Sequence, residues 1–145
     1  QPILEVIGEQ SSVIGEKIVV TGFVDEVDKA ALLSGATAVL YPSLYEGFGF
    51  PVLEAQACGT AVLTANTSSL PEVAGDAALL VDPLDTSAIT QGMQRLVHDD
   101  AYRQELVQRG FENVKKFRWE ETAVRFLDTL EKAHLGSNWN CIVKS

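Results

Sequence analysis

The sequence predicts a doubly wound α/β fold, a Rossmann-like parallel sheet covered by helices on both faces. Two observations carry that expectation. Short segments at KIVVTGFV (Lys17 to Val24), TAVLYPS (Thr37 to Ser43), TAVLTAN (Thr60 to Asn66) and AALLVDP (Ala77 to Pro83) are apolar almost throughout rather than alternating. Strands that are apolar on both sides belong to parallel sheets sandwiched between layers. Each run is also followed by a stretch with helical spacing, the strand–helix alternation that builds such sheets.

The elements follow in order. The chain opens on QPILEVIGEQ, where Ile3, Leu4 and Ile7, with Val6, recur at helical spacing and no residue upstream caps a helix. With Gln1 rather than Met at the start, this reads as a chain cut inside a helix. After the first strand, Asp25 stands as the cap of a helix through about Leu33. The second strand leads through the Gly-containing loop LYEGFGF to Pro51, which suits a first helical turn because its missing amide would go unpaired there. That helix carries Val52, Leu53, Ala55, Ala57 and Cys58, and Gly59 stops it. A short helical turn near Leu70–Val73 separates the third and fourth strands. Three helices then follow at about 86–98, 100–115 and 119–134, with Asp85 as an N-cap and Asp99-Asp100 as a second helix start. From Gly136 onward GSNWNCIVKS shows no period, so residues 1–134 read as one domain and 135–145 as a loose tail. A helix followed by four strands is short for a doubly wound sheet. If these are the third to sixth strands of a six-stranded order, the two central ones are absent, and the sheet is incomplete or completed by a partner chain.

Composition narrows the function. A chain of 145 residues holds one domain, and 46% apolar with 21% charged residues describes a globular protein with a real core. The net charge of −9 argues against nucleic acid, whose phosphates select basic surfaces, and against an anionic membrane surface. No apolar run reaches the roughly 20 residues of a membrane helix, and the first residues lack a signal-peptide pattern. Cys58 and Cys141 are far apart and fit no metal spacing; Cys58, inside AQACGTAVL, reads as a buried thiol. A reducing, cytoplasmic compartment is the expectation.

The informative segment runs Glu46-Gly47-Phe48-Gly49-Phe50-Pro51-Val52-Leu53-Glu54. One carboxylate precedes a helix and a second stands in its first turns. Gly47 and Gly49 between them permit positive φ and close approach of a ligand to the backbone. The helix N-terminus offers free amides and a partial positive charge suited to phosphate. Glu54 has the chemistry to accept hydrogen bonds from two ribose hydroxyls, and Glu46 to reach a sugar beyond the phosphates. Plainer readings stand beside these. Glu54 reads equally as a dipole-favouring acid, the glycines as an ordinary turn, and Phe48 and Phe50 as core aromatics. The Gly-x-Gly string is not a dinucleotide fingerprint, because Val52 occupies the third glycine position. His98 and His134 fall on solvent-facing helix positions. No Asp-x-Asp follows a strand, Asp82-Pro83-Leu84-Asp85 being the nearest string.

Taken together, these residues resemble the Glu-x7-Glu signature of retaining glycosyltransferases of the GT-B architecture, family 4 in particular. VVTGFV, SGATAVLYPSLYEGFGFPVLEAQACGTAVLTAN, SSLPEVAGDAALLVDP and FRWEETA resemble successive parts of that family's C-terminal domain, over roughly residues 3–134. The flavour is that of bacterial mannosyltransferase-like enzymes acting on surface polysaccharides. The resemblance implies that Glu46 is the catalytic residue and contacts the donor sugar, that Glu54 holds the ribose, and that the Gly47–Pro51 backbone (Gly47, Phe48, Gly49, Phe50, Pro51) lies against sugar and diphosphate. Gly22, Phe23 and Val24 would border the nucleobase, and Trp119, otherwise a buried Trp, would anchor a last helix returning to an N-terminal domain.

The implied reaction transfers a hexose, with retention and without metal or cofactor, from a nucleotide-diphosphate sugar of the GDP-mannose or UDP-glucose type. The acceptor, a glycan or lipid-linked hydroxyl, would be bound by the N-terminal domain, and the whole protein would be cytoplasmic or peripheral at the inner face of the membrane. The family's Arg and Lys for the leaving diphosphate match no residue here, so the chain alone is expected to be inactive. The rival reading is a non-catalytic module, or remnant, that binds a nucleotide sugar or a partner chain. Another GT-B enzyme, such as a phosphorylase or an epimerase, would not be expected to carry EGFGFPVLEAQACG.

Overall fold

In the computed structural model, residues 21–136 are described. Their elements run α1 (Glu26–Gly35), β1 (Ala38–Tyr41), α2 (Phe50–Ala57), β2 (Ala61–Ala65), α3 (Leu70–Ala74), β3 (Leu79–Val81), α4 (Thr86–His98), α5 (Asp100–Val114) and α6 (Trp119–Gly136). The strands form a parallel sheet in the order β1-β2-β3, with Ala38 opposite Ala61 and Leu63 opposite Leu79. The doubly wound α/β class is therefore the observed one. The opening helix and most of the strand expected at Lys17–Val24 lie outside the described residues. The last four residues of that segment, 21–24, are irregular, so the strand does not reach Val24. The expected tail at 135–145 starts too early, because α6 continues through Gly136; residues from 137 onward lie outside the described residues.

β2 is buried along its whole length because both its faces are covered. Val62 faces Val52, Leu53 and Ala55 of α2 and Leu70, Val73 and Ala74 of α3. Ala61 and Leu63 face Leu96 of α4 and Leu106 of α5. This explains a strand without alternation: a polar side chain on either face would lose its water. Thr64 is the exception, and its hydroxyl donates to the Tyr41 carbonyl at 2.8 Å. Gly92 lets α4 press onto the sheet, since a Cβ there would stand 2.5 Å from Leu63 Cδ1.

The helix ends follow their signals. Asp85 Oδ1 accepts from the amides of Ser87 and Ala88 at 2.9 and 3.0 Å, and Asp99 accepts from Tyr102 at 2.9 Å. Gly59, at φ +75°, closes α2 in a paired 6→1 and 5→2 arrangement. Thr60 N donates to Ala55 O at 2.9 Å and Gly59 N to Gln56 O at 3.1 Å. Asp25 precedes α1 as expected, yet its side chain caps no amide.

Burial corrects several expectations. Phe48 and Phe50 are exposed rather than in the core, and Cys58 is half-buried. Trp119 is 76% exposed, which overturns its reading as a buried residue. Residues 119–134 of α6 are exposed throughout, with Val124, Phe126, Leu127 and Leu130 among them. Apolar surface of this kind on a helix is a face without a partner among the described residues.

Candidate functional site

Parallel strands send all their following loops to one end of the sheet, and ligands of open α/β sheets bind at that end. Here the loop after β1 carries Glu46, and the loop after β2 carries Ser68 and Ser69. The two loops are tied together. The Glu46 amide donates to Ser68 Oγ at 3.1 Å, and Ser69 Oγ donates to the carbonyls of Glu46 at 3.0 Å and Phe48 at 2.8 Å. Ser68 adopts φ +53°, in the left-handed region that costs a non-glycine residue about 1–3 kcal/mol. Strain of that size persists only where surrounding contacts overdetermine the backbone, and the Ser68–Glu46 bond is one such contact.

The Glu46 carboxylate is held as well as its backbone. Tyr41, the last residue of β1, donates its phenol to Glu46 Oε1 at 2.5 Å. This bond, with a smaller contribution from the Ser43 hydroxyl, holds the Glu46 carboxyl below the usual range, while desolvation opposes it. The same bond, then burial, pushes the Tyr41 phenol up to about 12.

Gly49 and Gly47 serve different ends. Gly49 is buried at φ +104°, and a Cβ on it would stand 2.7 Å from Leu70 Cδ2. Its need for glycine is internal, set by backbone conformation and by α3. Gly47 is not among the positive-φ residues, contrary to expectation, and a Cβ there would meet no atom within 4 Å. Its open side faces solvent, where a ligand has room. Pro51 sits in the first turn of α2, and no side chain caps the amides of that turn.

Glu54 lies on α2 more than one turn in, outside the stretch where the helix dipole acts strongly, which removes the plainer reading of this acid. Its carboxylate instead meets Lys29 of α1, with Nζ 2.9 Å from Oε1. Lys29 also pairs with Glu26 at 2.9 Å, and these two carboxylates, Glu54 first, raise its pKa. Both Lys29 and Glu54 are about one-third exposed, so the pair faces solvent and a ligand can reach it.

Gly22, at φ +67°, Phe23 and Val24 run beside α1, where Phe23, Val24, Asp28 and Leu32 line a recess of about 540 Å³. Phe23 is 92% exposed. The expected site residues thus fall into three places: Glu46 with the Gly47–Pro51 segment, from the β1 loop to the start of α2, Glu54 at the α1–α2 junction, and residues 22–24 beside α1. The Lys29–Glu54 bridge joins α1 to α2. A further cavity of about 640 Å³ borders the start of α2, lined by Phe48, Phe50, Phe117, Trp119, Arg118 and Arg125 among others. Phe48 packs on Phe50 at 4.7 Å between centroids and edge-on against Phe117 at 5.9 Å.

Sequence reasoning missed Tyr41, Lys29 and the serine pair. Only Tyr41 left a signal, a phenol ending a strand five residues before the candidate acid. Among the described residues no group of three or more His, Cys, Asp or Glu side chains is assembled, and no helix is long and apolar enough to cross a membrane.

The chain is 41% identical over 107 residues to O-antigen chain mannosyltransferase B of Escherichia coli, a match covering 74% of this chain and 28% of that protein. It is 37% identical over 112 residues to a D-inositol 3-phosphate glycosyltransferase of a Nocardioides species, covering 76% and 24%. The chain therefore spans about a quarter of the length of these relatives. Among solved structures it resembles sucrose-phosphate synthase from Thermosynechococcus elongatus with a TM-score of 0.79 at 30% identity, over 93% of this chain and 34% of that one. An α,α-trehalose-phosphate synthase from Burkholderia vietnamiensis, TM-score 0.75 at 16% identity, shares the fold. The profile of the family described as Glycosyl transferases group 1 matches residues 10–113, and the chain belongs to that family.

Proposed function

We propose that this chain is the donor-binding part of a retaining hexosyltransferase, which moves a hexose from a nucleotide-diphosphate sugar to a hydroxyl of a glycan or lipid-linked acceptor. The observation that carries the reading is the placing of Glu46 and Glu54. They flank the Gly47–Pro51 segment at the ligand-binding end of a parallel sheet, in a chain of this family. Glu54 has one carboxylate oxygen on Lys29, which leaves the other for ribose hydroxyls. Glu46, held by Tyr41, faces the donor sugar, and the open side of Gly47 admits the diphosphate near the uncapped start of α2. Gly22, Phe23 and Val24 border the base. The relatives named as mannosyltransferases favour a GDP-mannose-type donor over a UDP-glucose type, and a role in surface polysaccharide synthesis. No metal or cofactor is needed in this reading, and the work takes place in the cytoplasm or at the inner face of the membrane.

Magnitudes divide the labour. A hydrogen bond from a ribose hydroxyl to a charged carboxylate contributes about 1.5–3 kcal/mol, equally in ground and transition states, so Glu54 improves binding rather than turnover. Enzymes lower barriers by about 8–23 kcal/mol. Most of that must come from preorganised donors stabilising negative charge on the departing diphosphate. The family's basic pair for that task has no counterpart in residues 1–145, so this chain alone is proposed to be inactive. In the protein that carries it, Glu54→Ala should weaken donor binding roughly 10- to 150-fold in calorimetric titration. Glu46→Ala should reduce kcat more than binding. A Glu46→Ala variant with intact turnover would remove Glu46 from the mechanism, and sugar transfer by isolated residues 1–145 would refute the division of labour.

A further inference from the structure

We infer that Tyr41 is a positioning residue for the proposed sugar-contacting acid, a strut that fixes the Glu46 carboxylate relative to the sheet. The inference rests on the reading of Glu46 given above. Tyr41 is anchored at several points. It ends β1 opposite Thr64 in the parallel register, its carbonyl accepts from the Thr64 hydroxyl at 2.8 Å and from the Ser43 amide at 2.9 Å, and its half-buried side chain packs against the core formed by α2, α3 and β2. From that fixed base the phenol reaches Glu46 Oε1 at 2.5 Å. The Glu46 main chain is held separately, by Ser68 and Ser69. With backbone and carboxylate both held, the Glu46 carboxylate keeps acceptor sites for a ligand while its orientation is set by the phenol. A glutamate on an exposed loop otherwise samples several rotamers, and a misplacement near 1 Å costs about 100-fold in rate.

Tyr41→Phe deletes the strut and keeps the packing ring. The test compares wild type, Tyr41→Phe, Glu46→Gln and the double variant in the intact protein, following nucleoside diphosphate release from GDP-mannose and, in parallel, UDP-glucose. We expect Tyr41→Phe to lower kcat roughly 10- to 100-fold with little change in KM. On the Glu46→Gln background the same substitution should have little further effect, whereas a purely structural role for Tyr41 would leave its effect undiminished. An ultraviolet titration of the phenols adds a readout independent of turnover: the high-pH Tyr41 transition should move down in Glu46→Gln. If Glu46→Gln lowers kcat while Tyr41→Phe leaves it unchanged, the strut is refuted and the role of Glu46 survives. If Glu46→Gln itself leaves kcat intact, the reading of Glu46 fails and the inference falls with it. A Tyr41 phenol that titrates at its ordinary value in wild type also overturns it.

Discussion

Asn113→Ala probes how the helix that carries Glu54 is held in place. Asn113, 2% exposed on α5, sends its Nδ2 group to Gln56 Oε1 on α2 at 2.9 Å and to the Val73 carbonyl of α3 at 2.8 Å. Gln56, 1% exposed, donates to the carbonyls of Ala74 and Ala77, both at 3.3 Å. One side-chain pair therefore links α2, α3 and α5, and no buried side-chain polar atom among the described residues lacks a partner. The surroundings are built to its shape: a Cβ on Gly75 would stand 2.9 Å from Asn113 Oδ1, and one on Gly110 would stand 3.2 Å from Gln56 Cβ. Alanine at 113 orphans the Gln56 oxygen and the Val73 carbonyl together. Each buried orphan costs about 1–3 kcal/mol, so the substitution should cost about 2–6 kcal/mol, with water entry favouring the lower end. Urea unfolding followed by circular dichroism would read this as a lower midpoint at an unchanged slope. Gln56→Ala on the Asn113→Ala background should then cost less than on wild type, by about 0.5–3 kcal/mol. Additive losses, or a loss for Asn113→Ala below about 0.5 kcal/mol, would show that the pair does not brace the helices.

Two further outcomes follow from the same geometry. Gly49→Ala should destabilise the protein by about 1–3 kcal/mol through its positive φ and by a similar amount through crowding of Leu70; a melting temperature equal to wild type would refute that packing. The Tyr41–Glu46 bond defines a pH window. The contribution of Glu46, whose pKa is lowered, is complete above its ordinary value of 4.5 and lost as pH falls through the folded value. That of Tyr41, raised from 10.0 to about 12, is complete below 10.0 and lost as pH rises towards about 12. Urea midpoints of wild type and Tyr41→Phe should differ by a constant amount inside that window and converge outside it, and a gap persisting at both extremes would refute the bond.

The parts of the fold that were legible in the sequence are those fixed by neighbours in the chain. Asp85 and Asp99 cap their helices because an acceptor two or three residues ahead of free amides needs no tertiary context. Gly59 ends α2 because its backbone conformation is a local requirement. β2 was legible because burial on both faces leaves a run with no polar alternation. Contacts between distant residues were not legible. Lys29 and Glu54 are 25 positions apart, and Gln56 and Asn113 are 57 apart; no periodicity marks either pair. The aromatic residues failed differently. Phe48 and Phe50 look like core residues by type, yet they precede or open α2 and pack on each other, with Phe48 also edge-on against Phe117. Trp119 opens a helix at the rim of the cavity lined by Phe48, Phe50 and Phe117, which leaves it 76% exposed.

The candidate site separates what holds a residue from what the residue does. Glu46 is fixed by the ends of two adjacent strands: the phenol of Tyr41 closing β1, and Ser68 and Ser69 in the loop that follows β2. Pairing of β1 with β2 sets the distance between these two supports, since Tyr41 lies opposite Thr64. The register is pinned in turn by packing shape, because a slip of one residue would exchange Val62 and Leu63 between the two cores and take Leu63 from the space that Gly92 leaves for it. The position of the Glu46 carboxylate is thus a consequence of hydrophobic packing on both faces of the sheet, relayed through one strand pair and one phenol. Glu54 has a different support, the braced helix α2 and the cation of α1. Two acids eight positions apart are therefore held by separate elements, so loss of one support should leave the other acid in place.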